Sequence, residues 1–342
     1  MPDAVLTEAI ERVASGQDLT ADEAARVLHE IMAGNASEAQ TAGFLIALRT
    51  KGETVAEIAG LARTMRELVV RVEADGPLVD TAGTGGGRPT FNVSTTAAFV
   101  AAAAGCRVAK HGNRSATGRC GSADVLEALG ARIDLEPGAV AECIDSLGFG
   151  FMFAPSHHTA MRHVVPVRKE LGVRTIFNFL GPITNPAGAT RQVIGVSERP
   201  YLETLAAALR ELGTENALVV SSADGLDEFS ASGATRVVEL RAGKLESYEV
   251  TPEQVGLEPA PPTAADWNGT PERNAEVARS VLGGEAGPDR SLAVLNAGAA
   301  IYVGGAAETI EDGVRRAEEA LDAGDGLELM ERYVERSQGL AP

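Results

Sequence analysis

Asp80-Thr-Ala-Gly-Thr-Gly-Gly-Gly-Arg-Pro-Thr-Phe-Asn-Val-Ser-Thr95 follows a short apolar run at 78–81 and precedes an apolar helix expected to start near Thr96. Strand, glycine turn and helix in that order make one βα unit of a mostly parallel sheet. Glycines at 83, 85, 86 and 87 let the backbone approach a ligand and expose its N–H groups. Asn92, Ser94 and Thr95 add polar side chains at the N-terminus of the helix, where the macrodipole favours anions. A phosphate or diphosphate suits such a turn. Two other readings compete: a plain connector in which Ser94 or Thr95 is an ordinary N-cap, and a dinucleotide fingerprint. The fingerprint wants an acid roughly 20 residues on, where this chain is Ala-rich.

The same grammar continues downstream. Further strands are expected at 107–109, 192–196 and 217–221, and two alternating runs across 235–250 flank Ala242 and Gly243 as in a hairpin. Residues 257–263 read as a Pro-rich surface loop, 274–282 and 291–303 as Ala-rich buried helices, and 306–323 as an amphipathic one. Upstream the pattern is purely helical. Thr20 with Glu23, Ser37 with Gln40, and Thr54 with Glu57 are capping-box pairs ahead of apolar stripes, and Gly34 and Gly52 sit where helices should stop. The expected fold is α/β: a small N-terminal all-helical domain over 1–73 and a larger α/β domain over 74–342 with a mostly parallel central sheet.

Composition narrows the partners. The 342 residues are 44% hydrophobic and 23% charged, enough to bury a full core. Lys and Arg total 30 against 48 Asp and Glu, a net charge of 30 − 48 = −18, which repels nucleic acid and anionic membranes. Cys106, Cys120 and Cys143 show no CxxC spacing and fit a reducing cytoplasm. The first sixteen residues lack the features of a signal peptide, and the most apolar run, 97–106, is too short to span a membrane.

Three more segments carry chemistry. In so acidic a chain, Lys110, His111, Arg114 and Arg119 form a basic island between a strand and a helix beginning at Ala123, a second anion-suited loop beside the first, or else a solvated turn. Asp227 and Glu228 follow another strand and suit Mg²⁺, which bridges phosphates and keeps several waters, although adjacent acids also commonly decorate turns. His157, His158 and His163 lack a carboxylate partner and read as structural or surface histidines. Arg168 is suited to grip a small carboxylate through its fork.

The segments GTGG, NVST, KHGNR, GSADVLEALG, RTIFNFLGPITNP and DGLDE, in order and spacing, resemble the anthranilate phosphoribosyltransferase family. The helical opening, ERNAEVARSVLGG at 272–284 and VLNAGAAIYV at 294–303 extend the resemblance along essentially the whole chain. It implies a nucleoside phosphorylase/phosphoribosyltransferase-like fold, with helices from about 160–186 joining the helical domain. It also implies a homodimer joined through that domain, and an active site in the cleft between the two domains. The implied reaction displaces diphosphate from C1 of phosphoribosyl diphosphate by the amine of anthranilate, with Mg²⁺ as cofactor. By the family pattern, Gly83, Gly86, Gly87, Thr90, Asn92, Ser94, Thr95, Lys110, His111, Gly112, Asn113, Arg114, Ser115, Ala116, Thr117, Gly118 and Ser122 contact the phosphoribosyl diphosphate. Gly83, Asn113 and Arg168 contact anthranilate, and Ser94, Asp227 and Glu228 hold the metal. The chain departs from the pattern where Gly87 stands in place of an Asp in a loop one residue shorter, where Thr117-Gly118 replaces Ser-Ser, and where Thr159 replaces a Pro. The alternatives are a pyrimidine nucleoside phosphorylase-like enzyme, which KHGNR speaks against, and a non-catalytic paralogue.

Overall fold

The computed structural model describes residues 2–115, 119–262, 267 and 269–340. Its first four helices are α1 (Ala4–Ala14), α2 (Ala21–Ala33), α3 (Glu38–Lys51) and α4 (Val55–Leu68). Thr20 and Thr54 form full capping boxes with Glu23 and Glu57, and Gly34 ends α2 in the left-handed region at φ 77°. At α3 only half of the expected box forms. Ser37 accepts from the Gln40 N–H, but the Gln40 amide turns to the Asp3 backbone, where it both donates and accepts and so ties α1 to α3.

Seven strands follow: β1 (Val79–Gly83), β2 (Val108–Gly112), β3 (Phe149–Phe153), β4 (Arg191–Gly195), β5 (Asn216–Ser222), β6 (Thr235–Arg241) and β7 (Lys244–Val250). They lie in the order β3-β2-β1-β4-β5-β6-β7, with β1 to β5 parallel and β6 and β7 added antiparallel. The β6–β7 turn places Ala242 at φ 49° and Gly243 at φ 76°, as a two-residue hairpin requires. Helix α5 (Val93–Ala103) joins β1 to β2, and α6 (Ser122–Leu129) follows β2.

The sequence reading misplaced some boundaries. Helix α5 starts at Val93 rather than near Thr96, so Ser94 and Thr95 lie inside its first turn, and α6 starts at Ser122 rather than Ala123. The amphipathic helix expected at 306–323 is Ile310–Asp322. Strand β3, whose FGFMF sequence is buried on both faces except at its last residue, was not foreseen.

The two faces of the sheet are buried by separate cores. On one, the α5 apolar face packs with β1 to β3 and the C-terminal helices, where Phe99 stacks on Phe149 with centroids 4.1 Å apart. On the other, Ile194, Val196, Val219 and Leu240 of the sheet share a core with α1 to α4 and with Val164, Val167, Phe177 and Leu180. The chain leaves β1 toward β2 on one side and returns to β4 on the other. This reversal opens a crevice at the carboxyl ends of the strands, where α/β sheets bind ligands.

Candidate functional site

A cleft of about 1210 Å³ occupies that crevice, walled by the turns after β1, β2, β3 and β5 and by the segment containing Arg168, Arg174 and Phe177. At its floor Lys110, 1% exposed, donates from Nζ to the Thr81 carbonyl at 2.6 Å and to Ser94 Oγ at 3.3 Å. Burial lowers its pKa, opposed by the carboxylates of Asp80 and Glu228. Asp80, on β1, accepts the His111 N–H at 3.1 Å and Asn185 Nδ2 at 2.8 Å, and burial raises its pKa. Strands β1 and β2 thus end on a fixed, buried charge arrangement.

The glycine turn after β1 is threaded against the turn after β5. Asp227 Oδ2 accepts the Gly85 N–H at 2.9 Å, and the same carboxylate accepts from Gly87. A Cβ at Gly83 would stand 2.8 Å from Asp227 Oδ2, and one at Gly87 2.7 Å from the Asp227 N. Side chains at these positions would push the acidic turn away. Gly195, at the end of β4, meets the Asp227 backbone more closely still. Gly87 therefore fits the shortened loop: its N–H is used by Asp227, and the adjacent Arg88 bonds Gly225 through its N–H at 2.7 Å and pairs with Asp224 at 2.9 Å.

Glu228 accepts from the Ser94 N–H at the start of α5. Its pKa is pushed up to about 8, first by burial and then by the neighbouring Asp227, against the pull of Lys110. Two adjacent carboxylates with raised pKa values facing a polar cleft have the donor chemistry of a hard-cation site. Among the described residues no cluster of three or more His, Cys, Asp or Glu is poised for a metal. The pair thus fits an ion that takes few protein ligands and completes its shell with water and phosphate oxygens, as Mg²⁺ does.

The second loop differs from the basic island expected of it. Arg114 turns its guanidinium to Asp124 at 2.8 Å and Glu127 at 2.5 Å, His111 is held neutral by burial and by His158, and Arg119 is exposed. The loop is closed on its own helix, with Asp124 accepting from the Ser115 and Gly121 N–H groups. Asn113, Ser115, Gly112 and Ser122 line the cleft, while Ala116, Thr117 and Gly118 lie outside the described residues. In the first loop Gly83, Gly86, Thr90, Asn92 and Ser94 also line it. Thr95 is 2% exposed and away from the wall, its hydroxyl buried without a partner, and the N-cap position belongs to Asn92, which makes no side-chain cap bond. His157 bonds the Val70 carbonyl through Nδ1 at 2.8 Å, the structural role expected of it.

Arg168 sits across the cleft, its guanidinium 5.5 Å from the centre of the Phe177 ring and paired with no carboxylate among the described residues. Whereas Arg88, Arg114 and Arg174 at the cleft are ion-paired, Arg168 is available to an acid. Sequence reasoning missed Arg88, Arg174, Asp224 and Trp267, all of them at the cleft or bracing it. The only signal for the two arginines was positive charge within the quoted segments of an acidic chain.

The a/b-domain model of the glycosyl transferase family matches residues 75–327, and that family's helical bundle domain model matches 7–69. The chain is 53% identical over 339 residues to the anthranilate phosphoribosyltransferase of Rubrobacter xylanophilus, covering 98% of this chain and 99% of that protein. It is 49% identical over 338 residues to that of Methanocorpusculum labreanum, with 98% and 99% covered. Among solved structures, the Thermus thermophilus anthranilate phosphoribosyltransferase superposes with a TM-score of 0.89 at 46% identity, covering 96% of this chain and 99% of the other. The Saccharomyces cerevisiae protein in complex with PRPP and Mg superposes with a TM-score of 0.87 at 26% identity, covering 98% and 99%.

Proposed function

The chain belongs to the anthranilate phosphoribosyltransferase family, and from that premise we propose how its own residues divide the work. The reaction transfers the phosphoribosyl group of 5-phospho-α-D-ribose 1-diphosphate to the amine of anthranilate, giving N-(5-phosphoribosyl)anthranilate and diphosphate in tryptophan biosynthesis, with Mg²⁺ as the metal. One observation carries the assignment of residues: glycine amides, the Lys110 ammonium and the Asp227–Glu228 pair converge on one crevice at the switch point of the sheet.

The diphosphate lies against the turn after β1, with Gly83, Gly86, Gly87, Thr90, Asn92 and Ser94 on one side. Lys110, Asn113, Ser115 and Ser122 face it from the second turn. Asp227 and Glu228, with Ser94, hold Mg²⁺, which neutralises phosphate charge when bound. Arg168 receives the anthranilate carboxylate through its fork, and Phe177 supports the guanidinium. An aniline nitrogen is neutral at pH 7, so no strong base has to act before it attacks C1. What remains for the chain is to align amine and sugar and to stabilise the departing diphosphate. Lys110 is fixed for that by its bonds to Thr81 and Ser94.

A second copy docks on the helical unit. Ile46 on α3, Val165 on the helix that packs against α3, and Val173 just beyond it are 37%, 41% and 49% exposed and offer apolar surface for that contact. Three unpaired cysteines fit residence in a reducing cytoplasm, and no helix among the described residues is long and apolar enough to cross a membrane.

Loss of anthranilate fluorescence in the presence of phosphoribosyl diphosphate and Mg²⁺ tests the assignment. Activity that depends on all three components and collapses in Asp227→Ala/Glu228→Ala supports it. Full activity of that double variant, or phosphorolysis of a pyrimidine nucleoside in place of transfer, sinks it. Sedimentation of the purified chain at twice its 35.4 kDa mass tests the second copy.

A further inference from the structure

We infer that Arg174 is a positioning residue that sets the orientation of the glycine turn, holding the Gly85 amide on Asp227 and aiming the Gly86 amide at the diphosphate, an inference that rests on the site reading above. Its guanidinium holds two successive carbonyls of the turn: Nη1 donates to the Gly85 oxygen at 2.6 Å and Nη2 to the Thr84 oxygen at 3.3 Å. A trans peptide is planar, with its N–H pointing opposite to its C=O. Anchoring the Thr84 carbonyl therefore turns the Gly85 N–H the other way, toward Asp227, which accepts it at 2.9 Å. Anchoring the Gly85 carbonyl likewise turns the Gly86 N–H away from Arg174, at a residue that lines the cleft.

The neighbours of Arg174 fix it in turn. Glu198 accepts from Nε at 2.8 Å, Ser197 Oγ shares the Gly85 carbonyl at 2.8 Å, and Arg49 of α3 donates to the Arg174 backbone carbonyl. The demand explains Gly86 as well. It lies at φ 84°, and a Cβ there would run into Arg174 Nη1. The turn is thus shaped from outside, by a residue 89 positions away in sequence, on the segment that also carries Arg168.

Titration calorimetry of phosphoribosyl diphosphate with Mg²⁺, together with KM for each substrate and thermal melting, tests this on wild type, Arg174→Ala and Arg174→Lys. Loss of a charged, paired donor set predicts that both variants bind phosphoribosyl diphosphate roughly 10–100-fold more weakly. The KM for anthranilate should stay within about twofold, at a scale well below one such bond. The lysine variant separates positioning from charge, because one ammonium keeps the charge but cannot hold both carbonyls and Glu198. It also carries the test should the alanine variant not fold. Wild-type affinity in Arg174→Lys, or an equal rise in both KM values, overturns the inference. Absence of phosphoribosyl diphosphate binding to the wild-type chain overturns the site reading and the inference with it.

Discussion

The turns after β1 and β2 resemble each other in sequence, since both are polar, glycine-containing segments between a strand and a helix, yet they are built on opposite plans. The first is held by distant parts of the chain: Asp227 on its amides, Arg174 and Ser197 on its carbonyls, and the Arg88–Asp224 pair at its end. The second is held by its own helix, through Asp124 and Arg114. In the first turn Asp227 takes the Gly85 and Gly87 amides and Arg174 the Thr84 and Gly85 carbonyls, so the Gly86 amide, turned away from Arg174, is the one left for a ligand, and the support comes from elsewhere in the chain. A turn that contributes side chains can be stapled to the nearest helix.

The sharpest way to break this contrast is to remove the acidic pair that faces the first turn. Asp227→Ala/Glu228→Ala should lower turnover by about 10²–10³-fold or more, the scale of losing preorganised electrostatic stabilisation. Circular dichroism should report an intact fold, because the glycine turn keeps its bonds to Arg174 and Ser197 and the Arg88–Asp224 pair when the two carboxyl groups are removed. Next in size, Gly195→Ala drives a Cβ into the Asp227 backbone. It should cost about 1–3 kcal/mol by denaturant unfolding, and because it displaces the acidic turn it should also weaken phosphoribosyl diphosphate binding. Arg168→Ala tests the other wall. The KM for anthranilate should rise roughly 10–100-fold with that for phosphoribosyl diphosphate little changed, as expected when a charged bond is lost from one substrate alone.

A fourth prediction concerns pH. The Glu228 carboxyl, raised to about 8, must lose its proton before it can hold a cation. Mg²⁺ affinity, followed by calorimetry in buffers of different ionisation enthalpy, should rise by up to about tenfold per pH unit toward 8 and then level, with proton release. The sign for folding is the reverse. A carboxyl whose pKa is raised on folding favours the native state below its ordinary value, so the metal-free chain should lose stability as pH climbs through 8, and Mg²⁺ should restore it. The smallest effect belongs to the second turn. Asp124→Asn keeps an acceptor for the Ser115 and Gly121 amides and removes only the charge from an ion pair with the half-exposed Arg114. It should cost no more than about 1 kcal/mol, and a loss as large as that of the glycine-turn variants would erase the contrast.

The same division decides what could be read from the sequence. Local devices were legible: the caps at Thr20 and Thr54 and the hairpin turn at Ala242 and Gly243 depend on neighbours within a few residues, and the glycines after β1 and the acids after β5 stand out by residue type although distant contacts hold them. Gln40 shows the limit, because its local partner was expected and a residue 37 positions away took its place. Strand β3 was hidden because a five-residue apolar run has no alternation to mark it. Arg174 and Arg88 were hidden because their partners lie 89 and 136 residues away. The basic island failed for a related reason: charge counted along the chain ignores the acids of α6 that consume it.

The sheet is a party wall. One of its faces is covered by the helix Leu202–Glu211, against which α4 packs in turn, and Ile194, Val196, Val219 and Leu240 share a core with that helix, with α1 to α4 and with residues 164–180, so neither unit owns that boundary alone. Dissecting the chain near residue 70 would strip α4 from that helix and α1 to α4 from residues 164–180, baring aliphatic side chains of the shared core, and such surfaces clump in water. The two stretches matched separately as family domains are therefore inseparable as objects, and a shortened fragment of either would be a poor stand-in for the whole.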